Sequence, residues 1–188
     1  MNWKNTAERY GLLSIGFHWA MLLLMITVYA CIELRVIYPK GSDPRDALKT
    51  WHFMLGLSIF LLVWLRLAAR LMQPIPQHQL GIKPWQAFAA KAMHYILYLF
   101  MAVMPIMGWL ILSAEGKTIP FYGFTLPPLM AENHDLAELV EEIHEWVGTT
   151  GYVLIALHAF AALFHHYILK DNTIRRILPT KLPFSSKK

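Results

Sequence analysis

Residues 144–167 read HEWVGTTGYVLIALHAFAALFHHY. A bilayer core of ~30 Å takes about 20 helical residues to cross, and this stretch is long and apolar enough to do so. Yet it carries His144, His158, His165 and His166. An ionisable side chain at membrane depth is costly and points to function. At ~100° per residue, His144 and His158 return to within about 40° of one helix face, ~21 Å apart along the axis. One helix thus offers two imidazoles to the same side at two depths.

The rest of the chain supplies that helix with neighbours. Apolar spans are expected at about 11–32, 51–72 and 92–112, with the quoted one counted from 146 to 169. The fold class read from this is all-α, an integral membrane four-helix bundle forming one domain over residues 1–188. The composition agrees. Apolar residues make up 56% and charged residues 15%, against roughly 25% charged in a soluble domain. The single cysteine, Cys31, excludes a disulfide scaffold, and no C-x-x-C-H motif offers c-type haem attachment. The net charge is +5, but basic residues punctuate apolar runs instead of forming a block, so no nucleic-acid partner is expected. The first apolar run is too long for a signal-peptide core and lacks an A-x-A-type site, which reads as a retained helix.

Charge distribution orients the chain. Lys4, Arg9, Arg66, Arg70, Lys83, Lys91, Lys170, Arg175, Arg176, Lys181, Lys187 and Lys188 share one side, twelve in all. Arg35, Lys40, Arg45, Lys49 and Lys117 are the five on the other. The positive-inside rule predicts both termini in the cytoplasm. Pro74, Pro76, Gly81 and Pro84 predict a turn region on that side. Residues 121–124 and Pro127-Pro128 read as interfacial. Leu136, Leu139, Val140 and Ile143 have helical spacing, with Asn133 or Asp135 as N-cap, so an amphipathic helix should run straight into the fourth span. Pro105 removes a backbone hydrogen bond and is expected to kink the third span.

Seven histidines fall in or beside spans: His18, His52, His94, His144, His158, His165 and His166. His78 and His134 fall in connections and read as solvent-facing. Two stacked haems need two imidazoles per iron, supplied by facing helices. Depth pairs them. His52 and His144 open the second and fourth spans on the same side, and His18 lies nearest in depth to His158. The His52-to-His18 offset is ~20 Å by span centres, close to the ~21 Å on the fourth helix. The expected axial sets are therefore His52–His144 and His18–His158.

Other readings stay open beside this one. His94 and His165 form a competing pair at the cytoplasmic edge, as replacement ligands or as quinone or propionate contacts. His166 reads as interfacial. Gly56 and Gly148 each lie four residues after a candidate ligand, for haem clearance or for helix packing. Arg66 and Arg70 either snorkel to headgroups or meet haem propionates. Met101, Met104 and Met107 read as packing, and Trp51, Trp109, Trp146 and Tyr167 as belt residues.

The Phe17-His18-Trp19 run, the Trp51-His52 start of span two, the spacing His144…His158…His165-His166-Tyr167 and the tail Lys170-Asp171-Asn172-Thr173…Arg176…Pro179 together resemble the bacterial cytochrome b561 family. The resemblance covers nearly the whole chain. It implies two haem b groups in an inner-membrane electron carrier, with ligands on His18, His52, His144 and His158. Members include a superoxide oxidase that passes electrons to ubiquinone, so superoxide or oxygen, quinone and membrane lipid are the implied partners. No side-chain acid or base is expected to be catalytic, because electrons are exchanged near a haem edge. Arg35, Lys40, Arg45 and Lys49 would then attract the superoxide anion, or else form a solvated loop balanced by Glu33, Asp43 and Asp46. The acidic run from Glu132 to Glu142 lies on the same side and would repel superoxide unless it faces away. The alternative function is a membrane anchor subunit passing electrons between quinol and a periplasmic redox partner.

Overall fold

The computed structural model describes residues 2–76 and 83–179. His78, Gly81, Lys181, Lys187 and Lys188 lie outside the described residues. Four helices form: α1 (Leu12–Leu34), α2 (Asp43–Leu71), α3 (Pro84–Ala114) and α4 (His134–Tyr167). Each is long and apolar enough to cross a membrane. Single 3₁₀ turns follow α1 (Arg35–Ile37) and α4 (Ile174–Arg176). The architecture is the expected all-α four-helix membrane bundle.

Three helices begin well before their apolar runs. The reason lies in their first turns, which apolar counting skips. α2 opens on Asp43-Pro44-Arg45-Asp46, where proline fits without losing a bond and acids complement the helix dipole. α3 opens on Pro84, and the Gln86 side chain returns to accept from the Lys83 N–H at 3.0 Å. At the start of α4 the Asn133 side chain accepts from the Leu136 N–H at 3.1 Å, which makes Asn133 the N-cap. The amphipathic segment and the fourth span are one continuous helix, as expected. α3 runs unbroken through Pro105.

Between α3 and α4 the chain forms a hairpin, β1 (Ile119–Phe121) and β2 (Phe124–Leu126), pairing Phe121 with Phe124. Its turn residues, Tyr122 and Gly123, have φ of 46° and 88°, the signature of a type I′ turn. Apolar counting reads this stretch only as interfacial, because a tyrosine at positive φ is a rare turn signal. The hairpin lies on α2: the Tyr122 hydroxyl is 3.0 Å from Ser58 Oγ, and Leu57, Leu112 and Ile119 pack beneath it.

α1 packs on α2, α2 on α3, and α3 on α4. No Cα of α4 comes within 8 Å of α1 or α2. The core between them is built of Met21, Met25, Ile59, Val63, Phe100 and Met101. The outer faces carry Leu23, Leu65, Phe160 and other large apolar side chains, more than half exposed, as a lipid-facing surface requires.

Candidate functional site

The inward stripe of α1 runs His18, Met21, Met25, Val28, Cys31 and continues to Arg35 at its C-cap, at steps of three or four residues. It faces α4 across the bundle, and the histidines meet there at two levels. The His52 and His144 rings stand 6.3 Å apart between centroids. The His18 and His158 rings also stand 6.3 Å apart. A nitrogen bound to a first-row metal sits about 2.0–2.1 Å from it and the imidazole centre about 1.1 Å beyond, so rings on opposite sides of one ion stand roughly 6.2–6.4 Å apart. Both levels match that span. Among the described residues no three His, Cys, Asp or Glu side chains converge on a bare ion. A macrocycle that brings its own four nitrogens needs only two from the protein, and two are offered twice.

Hydrogen bonds orient these rings. His52 Nδ1 donates to the Val28 carbonyl at 3.1 Å, which leaves Nε2 unprotonated and able to bind a metal. Val28 was not identifiable from sequence, since any residue's carbonyl can serve. His144 Nδ1 is buried with no hydrogen-bond partner. At the other level Arg66 Nη2 lies 3.3 Å from His18 Nδ1, and the Arg66 guanidinium lies 5.4 Å from the Tyr98 ring centre.

Glycines thin the bundle at these levels. A methyl group built at Gly16 or Gly56 meets no protein atom within 4 Å, and one at Gly108 meets His144 Cε1 at 3.8 Å. At Gly148 it meets the end of Met104 at 3.5 Å. Gly151, midway between His144 and His158, differs. There the Tyr29 hydroxyl and the Phe100 ring press against the α4 backbone, and Tyr29 donates to the Gly148 carbonyl at 2.7 Å. Tyr29 also packs on Tyr152 at 4.3 Å, and Tyr152 donates to Glu33 at 2.6 Å. This aromatic crossing escaped sequence reading because it joins α1 to α4 through positions with no special residue pattern.

The competing pair separates. His94 lies against His158, ring centres 5.3 Å apart, and its Nδ1 donates to the Ala90 carbonyl at 2.6 Å. That ring separation is about 1 Å short of a two-sided metal site. His165 instead joins Asp171 at 2.9 Å, and His166 Nδ1 donates to the Asp171 carbonyl at 3.0 Å. Outside the spans, Asp171 sits below the ordinary carboxylate range. Burial alone would raise it, but hydrogen bonds from the Thr173 side chain and backbone and from His165 outweigh that. Arg70 is half-buried near His94, with no carboxylate partner among the described residues. His134 is exposed and 3.0 Å from Glu132.

From the end of α1 into the first turns of α2 the four basic residues take different places. Lys40 is exposed. Lys49 lies 4.0 Å from Asp46. Arg45 donates to the Arg35 and Tyr38 carbonyls at 3.2 and 2.9 Å. Arg35 is half-buried and turns its Nε into the protein, where that atom is buried.

The prokaryotic cytochrome b561 family model matches residues 9–180. Cytochrome b561 homolog 1 of Escherichia coli K12 is 36% identical over 174 residues, covering 93% of this chain and 99% of the relative. A Yersinia pestis protein named probable superoxide oxidase CybB is also 36% identical, covering 93% and 98%. Cytochrome b561 homolog 2 of E. coli K12 is 31% identical, covering 95% of each chain. A match from residue 9 to residue 180 takes in all four helices and both histidine levels, and the chain belongs to the prokaryotic cytochrome b561 family.

Proposed function

We propose that this membrane electron-transfer protein holds two haem b groups, one between His52 and His144 and one between His18 and His158, and moves electrons from superoxide to ubiquinone. The observation that carries the reading is the repeated 6.3 Å ring separation at two levels of one helix. When bound, each haem would supply one-electron storage. The chain's own residues do the rest. Val28 sets the tautomer of His52, and the apolar core of Met21, Met25, Phe100 and Met101 keeps water from the space between the levels.

With both termini in the cytoplasm, the His52–His144 level faces the periplasm of an inner-membrane protein. Superoxide then arrives at Lys40, exposed before α2, and Lys49, half-buried in the first turns of α2, whose charge attracts an anion. Two superoxide anions release two electrons and leave as dioxygen. Ubiquinone takes the two electrons with two protons. Its place is assigned to the opposite end, near His94 and His165, with Arg66 and Arg70 as nearby cations. The name of the Yersinia relative supports the superoxide assignment.

The test is stopped-flow mixing of the purified chain with pulsed superoxide and a short-chain ubiquinone, after a reduced-minus-oxidised spectrum has established b-type haem. Fast haem reduction followed by quinol formation is expected. Lys40→Glu with Lys49→Glu should slow reduction at low salt, with the defect shrinking as the Debye length falls from ~30 Å at 0.01 M to ~10 Å at 0.1 M. Haem that superoxide does not reduce refutes the assignment. One observation favours the anchor-subunit reading: Glu138, Glu141 and Glu142 form an exposed acidic face at the start of α4, suited to a basic periplasmic redox partner. Copurification with a catalytic subunit, and inactivity without it, would establish that reading instead.

A further inference from the structure

Arg35 closes the inward stripe of α1, at the opposite end from His18. Its backbone is fixed: the Arg35 carbonyl accepts from Arg45 and from the Tyr38 N–H at 3.2 and 3.3 Å. Arg35 lies seven residues, about two helical turns, beyond Val28, whose carbonyl accepts from His52 at 3.1 Å. Arg35 Nε is buried and has no hydrogen-bond partner. Among the described residues no carboxylate pairs with this guanidinium. The nearest acid in sequence, Glu33, accepts from Tyr152 at 2.6 Å, and two residues of helix, about 200°, turn it to the other side.

A buried donor without an acceptor is destabilising, and more so when it is charged. A planar guanidinium in that position is suited to a carboxylate, which it can bind through two parallel hydrogen bonds. The other histidine level has a matching feature, Arg66 beside His18. Each imidazole pair thus has one arginine next to it.

We propose that Arg35 is a carboxylate-binding residue that holds a propionate of the haem seated between His52 and His144. The assignment rests on the di-haem reading above. It gives Arg35 a role distinct from the lysines that follow it, Lys40 before α2 and Lys49 within it. Lys40 and Lys49 meet the diffusing anion, whereas Arg35 faces the interior and fixes the cofactor's acidic edge.

The test uses full-length protein, wild type, Arg35→Met and Arg35→Lys, with haem and with haem dimethyl ester, whose propionates carry no charge. Haem-stripped chain is reloaded with each, and occupancy is read at both sites by absorbance. Wild type should prefer haem over the ester at the His52–His144 site by roughly tenfold to a hundredfold, the worth of a charged hydrogen bond. Arg35→Met should abolish most of that preference at that site alone, and Arg35→Lys should keep part of it. The resonance Raman propionate-bending band of the loaded protein should shift in Arg35→Met. An unchanged ester preference and an unchanged band in Arg35→Met overturn the proposal. So does a salt-sensitive loss of superoxide reactivity with ester preference intact, which would make Arg35 a substrate-attracting residue. Wild type that takes up neither haem nor ester would instead defeat the di-haem reading itself.

Discussion

Gly151→Ala tests the packing that separates the two histidine levels. In a helix interior the change by itself is favourable by about 1 kcal/mol. Here the added methyl enters space already held by the Tyr29 hydroxyl and the Phe100 ring. Overpacking of this kind costs about 1–3 kcal/mol. If Tyr29 is pushed aside, its 2.7 Å bond to the Gly148 carbonyl goes too, at about 1 kcal/mol. The balance is a loss of about 1–3 kcal/mol. For a chain of this size each kcal/mol moves the thermal midpoint by about 2–4 °C, so at ~2 kcal/mol the drop is about 4–8 °C. The assay is thermal unfolding in detergent, followed by circular dichroism. Tyr29→Phe removes the hydroxyl nearest the new methyl, so the loss from Gly151→Ala should be smaller in that background. The two substitutions touch and should not add. A midpoint that rises in Gly151→Ala, as helix propensity alone dictates, refutes the reasoning. So does a loss that Tyr29→Phe leaves undiminished.

Three further outcomes are expected. His52→Ala and His144→Ala should each remove the same haem, His18→Ala and His158→Ala the other, as read by haem per chain and low-temperature spectra; loss of one spectral component by both His18→Ala and His52→Ala would break the pairing. A C-terminal reporter active only when exported should stay silent, and a strong signal would reverse the topology. Because Asp171 is held below its usual value of 3.8, its contribution to tail docking is complete above that pH and lost as pH falls through the lower folded value. Limited proteolysis of the tail should therefore be unchanged from pH 7 to pH 5 and increase only in stronger acid, while Asp171→Asn should increase it at pH 7.

The bundle was legible in the chain because membrane insertion depends on length and apolarity, both local properties. Helix periodicity is local too, so His144 and His158 could be placed on one face before any partner was known. The N-caps were half legible: Asn133 stood beside Asp135 as an equal candidate, and only the bond to Leu136 separates them. What periodicity does not carry is the direction of a side chain between helices. Arg35, Lys40, Arg45 and Lys49 form one basic run in sequence, yet one turns inward, one holds two carbonyls and one pairs weakly with Asp46. His94 and His165 look alike at the same edge, yet α3 carries one to His158 while the tail returns Asp171 to the other. The bond from His52 to the Val28 carbonyl and the Tyr29–Gly151 contact join residues distant in sequence through a backbone carbonyl and a missing side chain. Neither leaves a mark in residue type, so only the packing of α1 against α2 and its approach to α4 decided them.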